Sequence, residues 1–329
     1  MNSLKITIYF MSVWVLVASC AKEVSESSDE LEQRYIEAYM KTKYPGITPT
    51  ESGLYFLSHT NRTSGVKPDA EDMIYIRYTS RTLAGNIAET SVDSLATMLG
   101  SHSYTTYYGP KLFSVAEGAT LVGLREAFLS MCEGDTVRIL MPSKLSTYGL
   151  SDTRLYDAPM LYDLELLRVV PDIAQFQTDS LERYWSIHYP GRTQSDDTIH
   201  KDLYFVPLPS SSVTGEAPAA EDTVIVRYVG SFLDGFVFDT NISDTARVHY
   251  KKDFDKTATY DALTVIIKED VSSMDVVQGF AYALKQMREG EEAVVVFSSD
   301  YGYQTTTSGQ IQPYSMLRFY IKVEHIGKP

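Results

Sequence analysis

Apolar positions recur along this chain with two periods, and the periods come in the same order twice. Ser27-Ser28-Asp29-Glu30 has the form of a capping box, and Leu31, Tyr35, Tyr39 and Met40 follow at helical spacing. Asp179-Ser180-Leu181-Glu182 starts a similar stretch containing Leu181, Tyr184 and Trp185. Strand patterns come next. Val224, Val226 and Tyr228 share one face of an alternating run, and Arg227 points the other way. A single amphipathic helix then sets Phe280, Leu284 and Met287 at i, i+4 and i+7, matched earlier by Leu124, Phe128 and Met131. Gly290 and Gly134 are expected to cap those helices. β-rich runs follow at Ala293–Phe297 and Val137–Met141. A last alternating strand turns Leu317, Phe319, Ile321 and Val323 inward and Arg318, Lys322 and Glu324 outward. One helix against a largely antiparallel sheet, met twice, predicts an α+β fold.

The two halves are also related residue by residue. Tyr44-Pro45-Gly46 recurs as Tyr189-Pro190-Gly191, Leu54-Tyr55-Phe56 as Leu203-Tyr204-Phe205, and Ala70-Glu71-Asp72 as Ala220-Glu221-Asp222. Arg77-Tyr78 recurs as Arg227-Tyr228; Gly123, Met131 and Gly134 recur as Gly279, Met287 and Gly290. The chain is expected to hold one duplicated domain, at residues 28–170 and 171–329. The helix opening each copy leaves two readings open: it packs on its own domain, or it pairs two chains into a homodimer.

Residues 1–19 read as a leader. Lys5 precedes an apolar run from Ile6 to Ala18, too short to cross a bilayer and suited to a secretory segment. Val17-Ala18-Ser19-Cys20 resembles a bacterial lipobox, so Cys20 is the expected lipidation site and residues 20–27 a tether. The nearby Glu23, Glu26, Asp29 and Glu30 resemble the surface-export signal of some bacterial lipoproteins. Localisation is expected at the cell envelope, lipid-anchored, with the outer membrane favoured and the membrane face left open. Cys132 is the other cysteine, and a buried, inert thiol is expected there.

The 329 residues carry 29 Lys+Arg against 43 Asp+Glu, a formal net charge of −14, which argues against nucleic acid as a partner. The six His lie at scattered positions without metal-ligand spacing, and no phosphate-binding loop or hydrolase motif occurs, so no cofactor or metal is expected.

The second copy resembles the FK506-binding-protein (FKBP) type peptidyl-prolyl isomerases. The blocks that carry the resemblance are Val224–Gly230 with Leu233-Asp234-Gly235-Phe236-Val237-Phe238-Asp239, then Val276-Val277-Gln278-Gly279-Phe280 and Met287-Arg288-Glu289-Gly290. Asp300-Tyr301-Gly302-Tyr303 and Ile311-Gln312-Pro313-Tyr314-Ser315, with Leu317 and Phe319, complete the series in order. The resemblance implies two tandem domains, each a curved antiparallel sheet around one short helix. It also implies a pocket for a prolyl ring. Tyr228, Phe238, Asp239, Phe280 and Tyr303 would be catalytic, with Phe280 as floor, Asp239 at the rim and the Tyr303 hydroxyl offered to a substrate carbonyl. Val276, Val277, Ile311 and Phe319 would bind substrate.

Such chemistry needs no nucleophile. Rotation about X-Pro faces a barrier of roughly 18–20 kcal/mol set by amide resonance, and a dry aromatic cleft favours the twisted, less conjugated amide. Copy one departs from the pattern. Tyr78 and Tyr148 are in place and Tyr162 replaces the last-strand Phe, but Ala88-Glu89 replaces Phe238-Asp239, Leu124 the floor and Thr120 Val276. Leu95–Pro110 replaces the expected flap. This copy reads as a fold kept without its pocket. The first reading is an envelope-tethered isomerase working on proline-containing unfolded or exported polypeptides, with catalysis mainly in the second copy. A second is a non-catalytic peptide-binding or chaperone lipoprotein, favoured by the altered flap around Tyr260–Asp275. A third, weaker, is a glycan-binding surface lipoprotein, resting on the 24 Tyr.

Overall fold

Helix α1, Ser28–Lys43, starts at the cap the sequence marks. Ser27 Oγ accepts from the Glu30 amide at 3.2 Å, and the Ser27 amide donates to Glu30 Oε2 at 2.9 Å. Its buried positions are Ile36 and Met40, while Leu31 and Tyr35 are exposed, so the covered stripe begins a turn later than the apolar spacing suggests. The structure, a computed structural model, describes residues 27–60, 64–209 and 213–329. The expected leader, the lipid site at Cys20 and all but the last residue of the tether lie outside the described residues. Among the described residues, no helix is long and apolar enough to cross a membrane. Residues up to Gly46 form one unit and Ile47–Pro329 a second.

The second unit contains both sheets. The first is built from β1 (Tyr55–His59), β2 (Met73–Thr82), β3 (Ile87–Thr90), β4 (Lys111–Ser114), β5 (Thr136–Met141) and β6 (Met160–Val170), with helices α2 (Asp93–Met98) and α3 (Val122–Ser130). Its order is β1-β5-β6-β2-β3, with β4 also on β2, and every pair is antiparallel. Helix α4 (Ile173–His188) and the short α5 (Gln194–Asp197) lead into the second sheet. That sheet is β7 (Thr198–His200), β8 (Leu203–Pro207), β9 (Thr223–Ser231), β10 (Val237–Thr240), β11 (Leu263–Ile266), β12 (Glu292–Phe297) and β13 (Leu317–Gly327), with α6 (Ser243–Tyr250) and α7 (Gln278–Leu284). Its order, β10-β9-β13-β12-β8-β7 with β11 on β9, repeats the first sheet and adds β7 at one edge. The fold is α+β, two tandem sheets each packed on one central helix, α3 or α7.

Alternation dictates the core. Val224 and Val226 are fully buried, and Leu317, Phe319, Ile321 and Val323 face inward from β13, as their spacing requires. The repeated Ala-Glu-Asp and Glu-Gly blocks are polar clamps. Asp72 Oδ2 accepts from the Asp69 amide at 2.8 Å and Asp222 Oδ2 from the Ala219 amide at 2.8 Å, fixing the turn before β2 and before β9. Glu133 Oε1 accepts from the Val169 amide at 2.6 Å, and Glu289 Oε2 from the Ile326 amide at 2.9 Å, pinning the end of the last strand of each sheet. Buried backbone amides need such partners because each would otherwise lose its bond to water unreplaced.

Three expectations are corrected. Helix α4 begins at Ile173, capped by Asp172, whose carboxylate accepts from the Gln175 amide at 2.9 Å; Asp179 lies mid-helix and accepts from Gln175 Nε2. Gly134 (φ 85°) and Gly290 (φ 80°) do not cap α3 and α7, which end at Ser130 and Leu284. They occupy the left-handed turn into β5 and β12, where their amides donate to Leu166 and Val323 carbonyls. Cys132 is half-buried rather than buried, in the turn held by Asp135, which accepts from the Cys132 amide. As to the opening helices, α4 spends its apolar stripe on its own sheet. Leu181 and Trp185 pack with Tyr204, Val294 and Val296, and Gln177 exchanges hydrogen bonds with Ser299.

Candidate active site

The second sheet brings most of the expected residues to one place. Tyr228 comes from β9, Phe238 and Asp239 from β10, Phe280 from α7 and Phe319 from β13. Their rings form a box. Phe280 and Phe319 meet edge-on at 5.3 Å between centroids, Phe238 and Phe319 at 5.7 Å, and Tyr228 and Phe280 at 5.9 Å, while Tyr228 and Phe319 lie tilted at 6.2 Å. Phe280 is 3% exposed and forms the floor, while Tyr228 and Phe238 are half-buried walls. Val276 and Val277 are half-buried on the approach to α7, whose N-cap is Val277. Tyr303 is half-buried against the same core. Ile311 is buried at the foot of a tight hairpin closed by paired bonds between Ser308 and Ile311.

Two local devices hold the box. Gly230 leaves room for it: a Cβ there would lie 2.6 Å from Phe238 Cε2 and 2.8 Å from Phe319 Cε1. Asn241 fixes Tyr228 from behind, its Oδ1 accepting from the Tyr228 amide at 2.8 Å and its Nδ2 donating to the Val226 carbonyl at 3.0 Å. Tyr228 Oη donates to Asp239 Oδ2 at 2.6 Å at the rim. Burial first, then that bond and the Asp239 charge, push the Tyr228 hydroxyl well above its ordinary value. The site therefore presents a half-buried cluster of aromatic rings with one carboxylate at its edge.

Sequence reasoning missed four aromatic neighbours. Phe297 stacks on Phe319 at 5.9 Å, and Phe232 lies behind Phe238 at 5.3 Å and stacks on Phe236 at 5.8 Å. Tyr107, from the first copy, packs against this second core. Phe232 and Phe236 stand beside Phe238 in sequence, which was the available signal; Tyr107 had none, because its contact is set by tertiary structure.

In the first copy the strand registers confirm the residue matches. Glu89 lies opposite Ser80 as Asp239 lies opposite Gly230, and Ile139 pairs Tyr162 as Val295 pairs Phe319. The expected loss of the pocket is only partial. A cavity of about 160 Å³ remains, lined by Tyr78, Phe113, Leu124, Tyr148, Tyr156 and Tyr162, among others, with Glu89 at its edge. Ala88 is exposed and builds no wall. Lys111 from β4 pairs with Glu89, donates to Tyr78 Oη at 3.0 Å and lies 5.3 Å over the Tyr78 ring. Burial of Glu89 is outweighed by its bonds from Lys111 and Tyr78, which hold its carboxyl below the ordinary range. Burial pushes the Tyr162 hydroxyl up, as does its bond with Tyr156. This cavity is hydroxyl-rich with an aliphatic floor, unlike the aromatic box.

Among the described residues, no group of three or more His, Cys, Asp or Glu is placed to hold a metal ion. Residues 214–324 match the model of the family described as FKBP-type peptidyl-prolyl cis-trans isomerase. Over 110 residues the chain is 29% identical to peptidyl-prolyl cis-trans isomerase Mip of Chlamydia trachomatis serovar D and 32% identical to Mip of Chlamydia muridarum. Each match covers 33% of this chain and 36% of the relative, so the chain spans about a third of the length of these proteins. Among solved structures it is similar to the three FKBP domains of wheat FKBP73, at 18% identity over 85% of this chain and 97% of that one, with a TM-score of 0.32. FkpA from Escherichia coli is similar at 20% identity, over 47% of this chain and 60% of that one, with a TM-score of 0.34.

Proposed function

We propose, from the match of residues 214–324 to the FKBP-type family, that the chain is a peptidyl-prolyl cis-trans isomerase whose catalysis resides in the second copy. The observation that carries the reading is the ring box of Tyr228, Phe238, Phe280 and Phe319 beneath the Tyr228–Asp239 pair. A prolyl ring seated on Phe280 would hold the X-Pro amide between the walls and away from water. Water stabilises the planar, charge-separated amide more than the twisted one, so its exclusion lowers the barrier, by about tenfold in rate per 1.36 kcal/mol. Tyr303 is the donor proposed for a substrate carbonyl, and Val276, Val277 and Ile311 shape the ring's seat. Substrates are proline-containing unfolded or exported polypeptides, and Cys20 carries the lipid that holds the protein at the envelope.

The first copy supports a second role beside the first. Its cavity has Leu124 in place of the Phe280 floor and an exposed Ala88 in place of the Phe238 wall, which suits holding an apolar side chain rather than twisting an amide. The test is protease-coupled isomerisation of a proline tetrapeptide by the full chain. Wild type should turn over, and Phe238→Ala should lose about ten- to a hundredfold in kcat/KM, the equivalent of roughly 1.4–2.7 kcal/mol. Peptide binding without turnover in wild type would move the protein to the holding class.

A further inference from the structure

The segment between α2 and β4 of the first copy reaches the second copy's ring cluster at three points. Tyr107 is its centre. Its ring meets Phe232 edge-on at 4.8 Å and Phe236 at 5.3 Å. Its Oη donates to Asp234 Oδ2 at 2.9 Å, and its backbone amide donates to Gln310 Oε1 at 2.9 Å. Close by, the Tyr104 amide donates to Asp253 Oδ2 at 2.6 Å, and the Lys251 ammonium lies 4.3 Å over the Tyr104 ring. These partners sit on the β9–β10 turn that leads into the strand carrying Phe238, on the loop that carries Tyr303 and Ile311, and on the segment after α6.

The pocket wall needs such support. Phe238 stands on β10, a four-residue edge strand that pairs only with β9 and has a register shift between Val237 and Asp239. Behind it Phe232 lies at 5.3 Å, and Phe232 is the ring that Tyr107 covers. A wall free to swing must be ordered when the amide twists, and that ordering raises the barrier. We propose that Tyr107 is a positioning residue for the second copy's pocket, the first copy's α2–β4 segment serving as a brace that holds the Phe238 wall through Phe232 and Asp234. The proposal rests on the isomerase reading, and it gives the first copy a part in turnover that needs no chemistry of its own.

The test uses the full chain. kcat and KM for a proline tetrapeptide are compared among wild type, Tyr107→Ala, Phe238→Ala and the double variant. Loss of two edge-on ring contacts should lower kcat/KM about tenfold, mostly in kcat. Tyr107→Phe, which keeps the ring, should lose about threefold. Because Tyr107 acts through Phe238, Tyr107→Ala should cost nothing further in the Phe238→Ala background. Unchanged kcat/KM in Tyr107→Ala, or an equal loss in both backgrounds, overturns the brace. Should Tyr107→Ala fail to fold, Tyr107→Phe and Asp234→Ala carry the same comparison. A wild type without turnover overturns the isomerase reading instead. The brace is then decided by hydrogen exchange of the amides at 232–239: faster exchange in the Tyr107 variants supports it, and unchanged exchange overturns it.

Discussion

Tyr228 Oη and Asp239 Oδ2 lie 2.6 Å apart, a hydrogen bond that ties the wall of the aromatic box to its rim. Asp239→Asn keeps the shape and removes the charge. Turnover of a proline peptide should fall about tenfold, as for loss of one charge-assisted bond. Burial and the Asp239 charge both push the Tyr228 hydroxyl up. With the charge gone and burial kept, Tyr228 should ionise at a lower pH than in wild type, yet still above the ordinary value of about 10. Tyrosinate absorbance of the two proteins checks this, and identical titrations would refute it.

Gly230→Ala should strike the pocket from beneath. The new methyl would lie 2.6 Å from the Phe238 ring and 2.8 Å from Phe319, whose side chain is buried and has little room to move. Overpacking of this kind costs about 1–3 kcal/mol. Chemical denaturation should register that loss, and part of it should return when Phe238→Ala is added, since one of the clashing rings is then gone. The first copy has made the same exchange: Ser80 stands at the Gly230 position, with Ala88 where Phe238 would press on it.

Alkali should loosen the fold. Burial pushes the hydroxyls of Tyr75 and Tyr250 up to about 12, and raises those of Tyr78, Tyr162 and Tyr228 as well. In the unfolded chain these groups lose their protons near pH 10. Between that pH and the raised folded values the unfolded state binds fewer protons, so stability falls as pH rises. The contribution is whole below about pH 10. Melting temperature should therefore be level from pH 8 to about 9.5 and drop steadily above it; a level profile to pH 12 would refute the assignment.

Cys20→Ala should release the protein from membranes. A lipid-modified Cys20 with more than one acyl chain anchors stably, whereas a single chain holds only marginally. Fractionation of cells expressing each form is the measurement, and an unchanged membrane-bound fraction would end the anchor reading.

The frame was legible because period alone decides which face a residue takes. The inward row Leu317, Phe319, Ile321 and Val323 follows from alternation, and the repeated blocks carried the duplication. Most of the aromatic box was legible for a different reason: its residues lie in short blocks in a fixed order. What escaped has no local pattern. Glycine at 134 and 290 marks a positive φ, which a helix cap and a strand-entry turn both need, so the residue alone could not choose between them. Asp172 and Asp179 both suit a helix start, and the choice was made by where β6 ends, at Val170. Lys111 and Tyr107 reach their partners from segments distant in sequence, so a reading by matched positions saw a lost pocket and no contact between the copies.

The clamps built by Asp72 and Glu133 in the first copy bind the Asp69 and Val169 amides, neither of which lines its cavity, and their counterparts Asp222 and Glu289 bind the Ala219 and Ile326 amides, neither of which belongs to the aromatic box. Wiring and contents are thus independent in each copy. A duplicated domain made this way can have its interior rewritten, Phe to Ala at one wall and Phe to Leu at the floor, without losing the bonds that close its turns and fasten its last strand. The interior can then change from one copy to the other while the frame around it stays the same.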